Sequence, residues 1–244
     1  MAGDPWQQRT EQRNTLSCGL VHCGAARKGL VYSHVIFDLD GTLVDSRVDL
    51  AKAVNHMLGA LGMARLPLDT VTGYIGEGAR VLVQRSLGPA AQDRLESGLR
   101  IFLDYYGAHL LDQTRPYPGI PEMLGGLHGR GITLSVLTNK PEAMSRTILD
   151  GLGLVHRFVA VVGGDTLPTR KPDPAGVAHL CTITHTSTNH VVLVGDSVID
   201  LTTARAAGVA FCGVAWGLGL DGLQKAGAEW IVRTPEELVP VDRA

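Results

Sequence analysis

VIFDLDGTLVDS, residues 35–46, is the stretch on which the fold turns. It opens as an unbroken apolar run and stops at two aspartates, Asp38 and Asp40, followed by Gly41 and Thr42. An apolar run without alternation reads as a strand buried on both faces. Two carboxylates at the mouth of such a strand need a reason other than packing, because Asp is rarely buried without a partner.

Outward from this stretch, strand and helix patterns alternate. VYSHVIFD is expected as one strand, residues 120–130 as a helix and ITLSVLTN as a strand ending at Thr138. PEAMSRTILDGLGL opens with Pro141 at a helix start and closes on Gly151 or Gly153. FVAVVGGD is a short apolar run, PDPAGVAHLCTI a helix, HVVLVGDS a strand and DLTTARAAG a helix stopped by Gly208. VAFCGVAWG and EWIV finish as strands, and TPEELVPV as a last short helix. Strands and helices in series predict an α/β fold, a parallel Rossmann-like sheet with right-handed crossovers. Residues 47–116 break the series, with helix patterns and no good strand between Ser46 and Pro116. They are expected as an inserted α-helical domain, set into a core formed by residues 33–46 and 117–244. An insertion at that point lies over whatever the aspartates do.

Ligands of open α/β sheets collect at the carboxyl ends of the strands. Asp38 and Asp40 end one strand, Thr138 and Asn139 the next, and Asp196 and Asp200 follow HVVLVGD. Lys171 lies in the loop TRKPDP. An oxygen-only carboxylate cluster suits Mg²⁺ together with a phosphate, and the lack of His or Cys argues against zinc. Lys171 and Thr138 are then placed to hold phosphate oxygens, and Gly41 lets the backbone turn tightly beside the anion. One aspartate can attack phosphorus. The other can give a proton to the leaving alcohol and later activate water. An extended backbone sends residues i and i+2 to the same side, so both can face one substrate.

The bulk numbers agree with an ordinary globular enzyme. The 244 residues are 45% hydrophobic and 19% charged, with 30 glycines and a net charge of -2. Nothing there suggests nucleic acid or an anionic membrane as a partner, and no apolar run reaches the ~18 residues of a membrane span. Cys18, Cys23, Cys181 and Cys212 form no CxxC pair, and Cys181 and Cys212 read as buried free thiols in a reducing, cytoplasmic setting. Residues 1–32 show no sustained periodicity. A disordered extension, a targeting segment and a misplaced start all stay open for them.

DLDGT at 38–42, LSVLTN ending at Asn139, KPDP from Lys171 and GDSVID at 195–200 resemble, in order, the four motifs of the haloacid dehalogenase superfamily. The resemblance covers residues 34 to about 240. It implies Asp38 as nucleophile, Asp40 as general acid/base, Thr138 as the phosphate-binding hydroxyl and Lys171 as the phosphate-neutralising base. It implies Mg²⁺ held by Asp38, Asp196 and the main-chain carbonyl of Asp40, with Asp200 supporting the metal site or orienting Lys171. Gly41, Thr42 and Asn139 complete the substrate site, although Asn139 reads equally as a turn residue. Asp40 speaks against the dehalogenases of the superfamily. The only lysine of the insertion, Lys52, reads as a surface residue, which speaks against phosphonatases. The motifs and RPYPGIPEML look most like phosphoglycolate phosphatases, in which a glycine-rich cap turn opens on the site. That turn is Gly76, Glu77, Gly78 and Arg80 here, with Arg80 either recognising a small carboxylate or lying on the surface. The expected function is Mg²⁺-dependent hydrolysis of a small phosphomonoester, 2-phosphoglycolate. The alternatives are a sugar-phosphate mutase of the β-phosphoglucomutase type and a pyrophosphatase or generic sugar phosphatase. The expected partner is a small phosphorylated metabolite, with no nucleic acid or membrane, and the expected state a monomer or homodimer. GVAWGLGL departs from the pattern of the subgroup, which bears on the substrate.

Overall fold

The computed structural model describes residues 31–239 and the pair Val21–His22. Six parallel strands form the main sheet: β1 His34–Phe37, β2 Thr133–Leu137, β3 Ala160–Val162, β4 Val191–Gly195, β5 Ala210–Val214 and β6 Ile231–Val232. Their order across the sheet is β6-β5-β4-β1-β2-β3. The chain starts in the middle and builds outward in both directions, so a crevice opens where the order reverses, at the carboxyl end of β1. Phe37 sits opposite Val136 of β2 and Val194 of β4, which sets the ends of the three central strands level.

Every residue of β1 is buried. Successive side chains alternate between the two faces. Val35 and Phe37 join the apolar core that includes Leu124 and Ile148, while Ile36 joins Leu137, Val177 and Leu193 on the other face. His34 is the polar member of β1. Its ring is satisfied by the Ser135 hydroxyl at Nε2 (2.9 Å) and the Thr184 hydroxyl at Nδ1 (3.1 Å). Burial lowers its pKa to about 4, so it serves as a neutral core residue.

Nine helices accompany these strands among the described residues: α1 Arg47–Ala60, α2 Leu68–Thr72, α3 Ala79–Leu87, α4 Leu95–Ala108, α5 Ile120–Gly129, α6 Glu142–Gly151, α7 Ala175–Thr184, α8 Val198–Ala207 and α9 Leu220–Lys225. The first four make up the segment between β1 and the return to the sheet, with α4 packed along α1 and α3. The two chain crossings at the base of this segment pair with each other. Val44–Asp45 and Arg115–Pro116 form an antiparallel ribbon.

Asp49, in the first turn of α1, ties the end of the helical segment back to its start. Its buried Oδ2 accepts the amides of Gln113 and Thr114 (both 2.8 Å) and the Thr114 hydroxyl (2.9 Å). Asp49→Ala strands these donors. It is expected to lower unfolding stability by about 2–4 kcal/mol, since each unsatisfied buried donor costs about 1–3 kcal/mol. A chemical denaturation midpoint equal to wild type contradicts that role.

Two expectations are corrected. VYSHVIFD is not one strand: Ser33 interrupts it, Val31–Tyr32 pairs antiparallel with Val21–His22, and His34–Phe37 enters the main sheet. The rest of the expected extension, residues 1–32, lies outside the described residues. TPEELVPV is a single 3-10 turn, Pro235–Leu238, closed at once by the reciprocal capping of Thr234 and Glu237. Among the described residues no helix is long and apolar enough to cross a membrane.

Candidate active site

β1 ends at Phe37, and the Asp38 amide continues its ladder to the Val194 carbonyl at 2.9 Å. The chain then turns back, with the amides of Thr42, Leu43 and Val44 all directed at the Leu39 carbonyl. This turn separates the partners of the two aspartates. The Asp38 carboxylate meets the Lys171 ammonium at 2.7 Å. The Asp40 carboxylate takes the Lys140 ammonium at 2.7 and 2.6 Å and the Ser46 hydroxyl at 2.5 Å. Ser46 precedes α1 but does not cap it, because its hydroxyl is committed to Asp40. Asp38 and Asp40 nonetheless line one cavity of about 40 Å³, walled by Thr138, Asn139 and Lys140 of the core and by residues of α1, α3 and α4.

Asp200 owes its position to a local sequence rule. Ser197 is the N-cap of α8 and Asp200 its third residue, so Ser197 and Asp200 form a capping box. The Ser197 amide and hydroxyl donate to Asp200 Oδ2 at 3.1 and 2.6 Å, which leaves Oδ1 for the Lys171 ammonium at 2.6 Å. Asp196 Oδ2 accepts the Leu218 amide at 2.7 Å. Only glycine fits beside it. A Cβ on Gly217 would overlap Asp196 and the Gly41 carbonyl, and a Cβ on Gly41 would strike the Asp196 carboxylate. Gly41 also has φ of +87°. Gly41→Ala is expected to lower kcat/KM by about 100-fold, because displacing a reacting group by ~1 Å costs about that much. Kinetics within three-fold of wild type count against this placement.

Residues 35–214 match the haloacid dehalogenase-like hydrolase family. A phosphoglycolate phosphatase of Nitrosospira multiformis is 43% identical over 184 residues, 73% of this chain and 81% of the relative. One from Psychrobacter arcticus is 38% identical over 191 residues, 75% of this chain and 83% of the relative. The crystal structure of a predicted phosphoglycolate phosphatase from Haemophilus somnus superposes with a TM-score of 0.80 at 33% identity, covering 85% of this chain and 96% of that one. The chain belongs to the haloacid dehalogenase-like hydrolase family. It is an enzyme of the phosphatase kind within that family, with the Rossmann-like parallel sheet expected from the sequence.

In this haloacid dehalogenase-like hydrolase, Asp38, Asp196 and Asp200 are buried and bring carboxylate oxygens within 4.8 Å of one another. Lys171 lies among them and Thr138 lines the adjoining cavity. Asn139 bridges two loops, donating to the carbonyls of Gly76 (3.1 Å) and Lys171 (3.0 Å). Thr42 is buried with its hydroxyl unpaired. The Asp40 side chain stands apart from the three-carboxylate group, held by Lys140 and Ser46. Of the glycine-rich turn, Gly76 and Gly78 reach the cavity. Arg80 is not brought to the site. It is exposed, forms an ion pair with Glu96 and is absent from the cavity wall, because the first turn of α3 faces it outward along α4. Glu77 pairs with Arg85 in the same way.

Lys140 and Tyr106 are the site residues that sequence reasoning missed. Lys140 is buried, sits in the cavity wall and lies over the Tyr106 ring, 4.9 Å from its centroid. Its signal was its place: it follows Thr138 and Asn139 at a strand end, where a lysine of a bland turn would be exposed.

The three carboxylates fit a hard divalent cation. Burial raises the Asp38 pKa to about 6 against the opposing pull of Lys171, with the Asp200 charge adding to the rise. Burial, then the Asp200 and Asp38 charges, push Asp196 well above the carboxylate range. These are carboxylates lacking sufficient positive charge, with oxygen donors only. Burial opposes the charge on Lys171, but Asp200 and Asp38 outweigh it and hold the ammonium protonated. The sign of the linkage follows. Folding raises the Asp38 pKa, so its contribution is fully present below the unfolded value of 3.8 and is lost as pH rises through about 6. Metal-free protein is therefore expected to lose Tm between about pH 4 and about pH 7, and Mg²⁺ to raise Tm more at pH 7 than at pH 5. A Mg²⁺ shift in Tm that is equal at both pH values contradicts this reading.

Proposed function

We propose that the chain is a Mg²⁺-dependent phosphatase that hydrolyses 2-phosphoglycolate through an aspartyl-phosphate on Asp38. The observation that carries this reading is the buried Asp38 carboxylate, 2.7 Å from the Lys171 ammonium and open to a cavity that also receives Asp40. The names of the relatives support the choice of substrate. An Asp38 oxygen attacks phosphorus, and the bond from phosphorus to the ester oxygen breaks. The Asp40 carboxyl gives its proton to that oxygen, releasing glycolate. Water then attacks the phosphorus of the aspartyl-phosphate, Asp40 takes its proton, and phosphate leaves as Asp38 is restored. Lys171 and the Thr138 hydroxyl hold the phosphoryl oxygens. Asp38, Asp196 and the Asp40 main-chain carbonyl would hold Mg²⁺, with Asp200 behind them. The ion, when bound, neutralises charge on the phosphoryl group.

Residues 47–116 act as a cap domain over the core of residues 33–46 and 117–244. The cavity of about 40 Å³ has room for about three waters. The substrate needs more room than this, which lifting of the cap supplies, and closure then excludes bulk water. The ribbon of Val44–Asp45 and Arg115–Pro116 is the pair of crossings about which it moves.

The test is phosphate release with Mg²⁺ from 2-phosphoglycolate, pyrophosphate, β-glucose 1-phosphate and an aryl phosphate. The reading expects 2-phosphoglycolate to lead in kcat/KM by about ten-fold or more, about 1.4 kcal/mol of discrimination. Equal or better turnover of any other member overturns the substrate. Glucose 1-phosphate that disappears without free phosphate overturns the reaction.

A further inference from the structure

The site holds two buried lysines, and of the two Lys140 lines the cavity. Lys171 sits between Asp38 and Asp200, where the phosphoryl group is transferred. Lys140 enters from the end of β2 and sits against Asp40, the residue that protonates the leaving oxygen. Whatever the substrate carries next to that oxygen therefore lies next to Lys140. An ammonium has three donors. Two are used on Asp40, at 2.7 and 2.6 Å, and the third can turn between the Tyr106 hydroxyl and a ligand.

Tyr106 supplies a second sign of a missing ligand. It comes from α4, in the helical segment, and lies beneath the Lys140 ammonium. Its hydroxyl is buried against the Lys140 ammonium, which can only donate to it, so the hydroxyl's own proton has no acceptor. A buried hydroxyl proton without an acceptor is costly unless something fills the place. The wall around this pair is otherwise largely apolar, from Leu50, Ile75, Leu82, Phe102, Leu103 and Met144. Gly78 and Ala79, at the start of α3, line the same cavity, and no side chain caps that helix end. An apolar chamber with an ammonium, a hydroxyl proton lacking an acceptor and a helix start selects a small anion and rejects a neutral alcohol tail.

We propose that Lys140 and Tyr106 form the receptor for a carboxylate one carbon from the ester oxygen, and so determine substrate specificity. This rests on the phosphatase reading above and deepens it. Lys140 spans Asp40 and the substrate carboxylate, and the Tyr106 hydroxyl donates to the second carboxylate oxygen. Because Tyr106 belongs to the helical segment and Lys140 to the core, the carboxylate is held from both sides at once. Esters without a carboxylate leave the hydroxyl proton without an acceptor.

The test compares 2-phosphoglycolate with ethyl phosphate, which has the same two carbons and no carboxylate, in the full-length wild type, Lys140→Met and Tyr106→Phe. Glycolate is measured as a competitive inhibitor of each. Wild type is expected to favour 2-phosphoglycolate by about 100-fold or more in kcat/KM, as sites built to hydrogen-bond a substrate group do. Lys140→Met is expected to collapse that ratio by about 30-fold or more. Tyr106→Phe, which keeps the ring and the packing, is expected to raise KM for 2-phosphoglycolate and the glycolate inhibition constant together by about five- to ten-fold, with kcat changed less than about two-fold. If both variants slow the two esters equally through kcat, with the ratio and the glycolate constant unchanged, the pair only supports Asp40 and the receptor is overturned. If wild type itself does not favour 2-phosphoglycolate, the substrate reading fails as well, and that is seen before any variant is compared.

Discussion

Asp38→Asn is expected to lower kcat by about 10⁴-fold or more, the loss that follows removal of a covalent nucleophile. The amide keeps the size of the carboxylate but cannot attack phosphorus. The fold is expected to survive. Asp38 is one of three buried carboxylates, its pKa is already pushed up to about 6, and Lys171 keeps Asp200 as a partner at 2.6 Å when Asp38 is neutral. Removing a poorly compensated buried charge relieves desolvation, so the metal-free variant is expected to melt at or above the wild-type temperature near pH 7. Steady-state phosphate release and a thermal melt check the two halves. Activity within ten-fold of wild type removes Asp38 from the role of nucleophile.

Lys171→Met is expected to do the opposite to stability. Lys171 is the cation in direct contact with Asp38 and Asp200, and its side chain is only 2% exposed. Methionine fills much the same volume, so the change isolates the charge. Breaking a buried ion pair by removing one partner costs about 3–5 kcal/mol. For a chain of this size about 2–4 °C is lost per kcal/mol, so Tm is expected to fall by about 6–20 °C. The loss is expected to shrink when Mg²⁺ is present, because the ion restores positive charge among the same carboxylates. Hydrolysis is expected to fall by about 10³-fold, as when a preorganised charge at a developing oxyanion is deleted. A metal-free melt equal to wild type means the three carboxylates are compensated elsewhere.

The sheet was legible because its strands are apolar on both faces and each ends at a chemically odd residue. Asp38, Thr138 and Asp196 mark the ends of β1, β2 and β4 in the sequence as they do in the fold. The helical segment was legible too, since four helix patterns without a strand have no place inside a parallel sheet. The local turn after β1 was not. Extended backbone predicts Asp38 and Asp40 as equivalent neighbours, but three amides converge on the Leu39 carbonyl and turn the chain, so each aspartate meets its own lysine. Tyr106 was hidden for a different reason. An aromatic on the buried face of an amphipathic helix looks like core, and only its place in the cavity wall beside Lys140 sets it apart. Arg80 shows the reverse error of emphasis. A basic residue in a glycine-rich turn invites a ligand, but the helix register that begins at Ala79 carries it to Glu96 on the outer surface.

The measurement that tests the account most directly is a rapid acid quench of wild-type enzyme turning over ³²P-labelled 2-phosphoglycolate with Mg²⁺, followed by peptide mapping. The account predicts label on the peptide that contains Asp38, labile to hydroxylamine as an acyl phosphate is, and absent from Asp38→Asn. Free phosphate formed at full rate with no label on the protein, or label on any other residue, contradicts it.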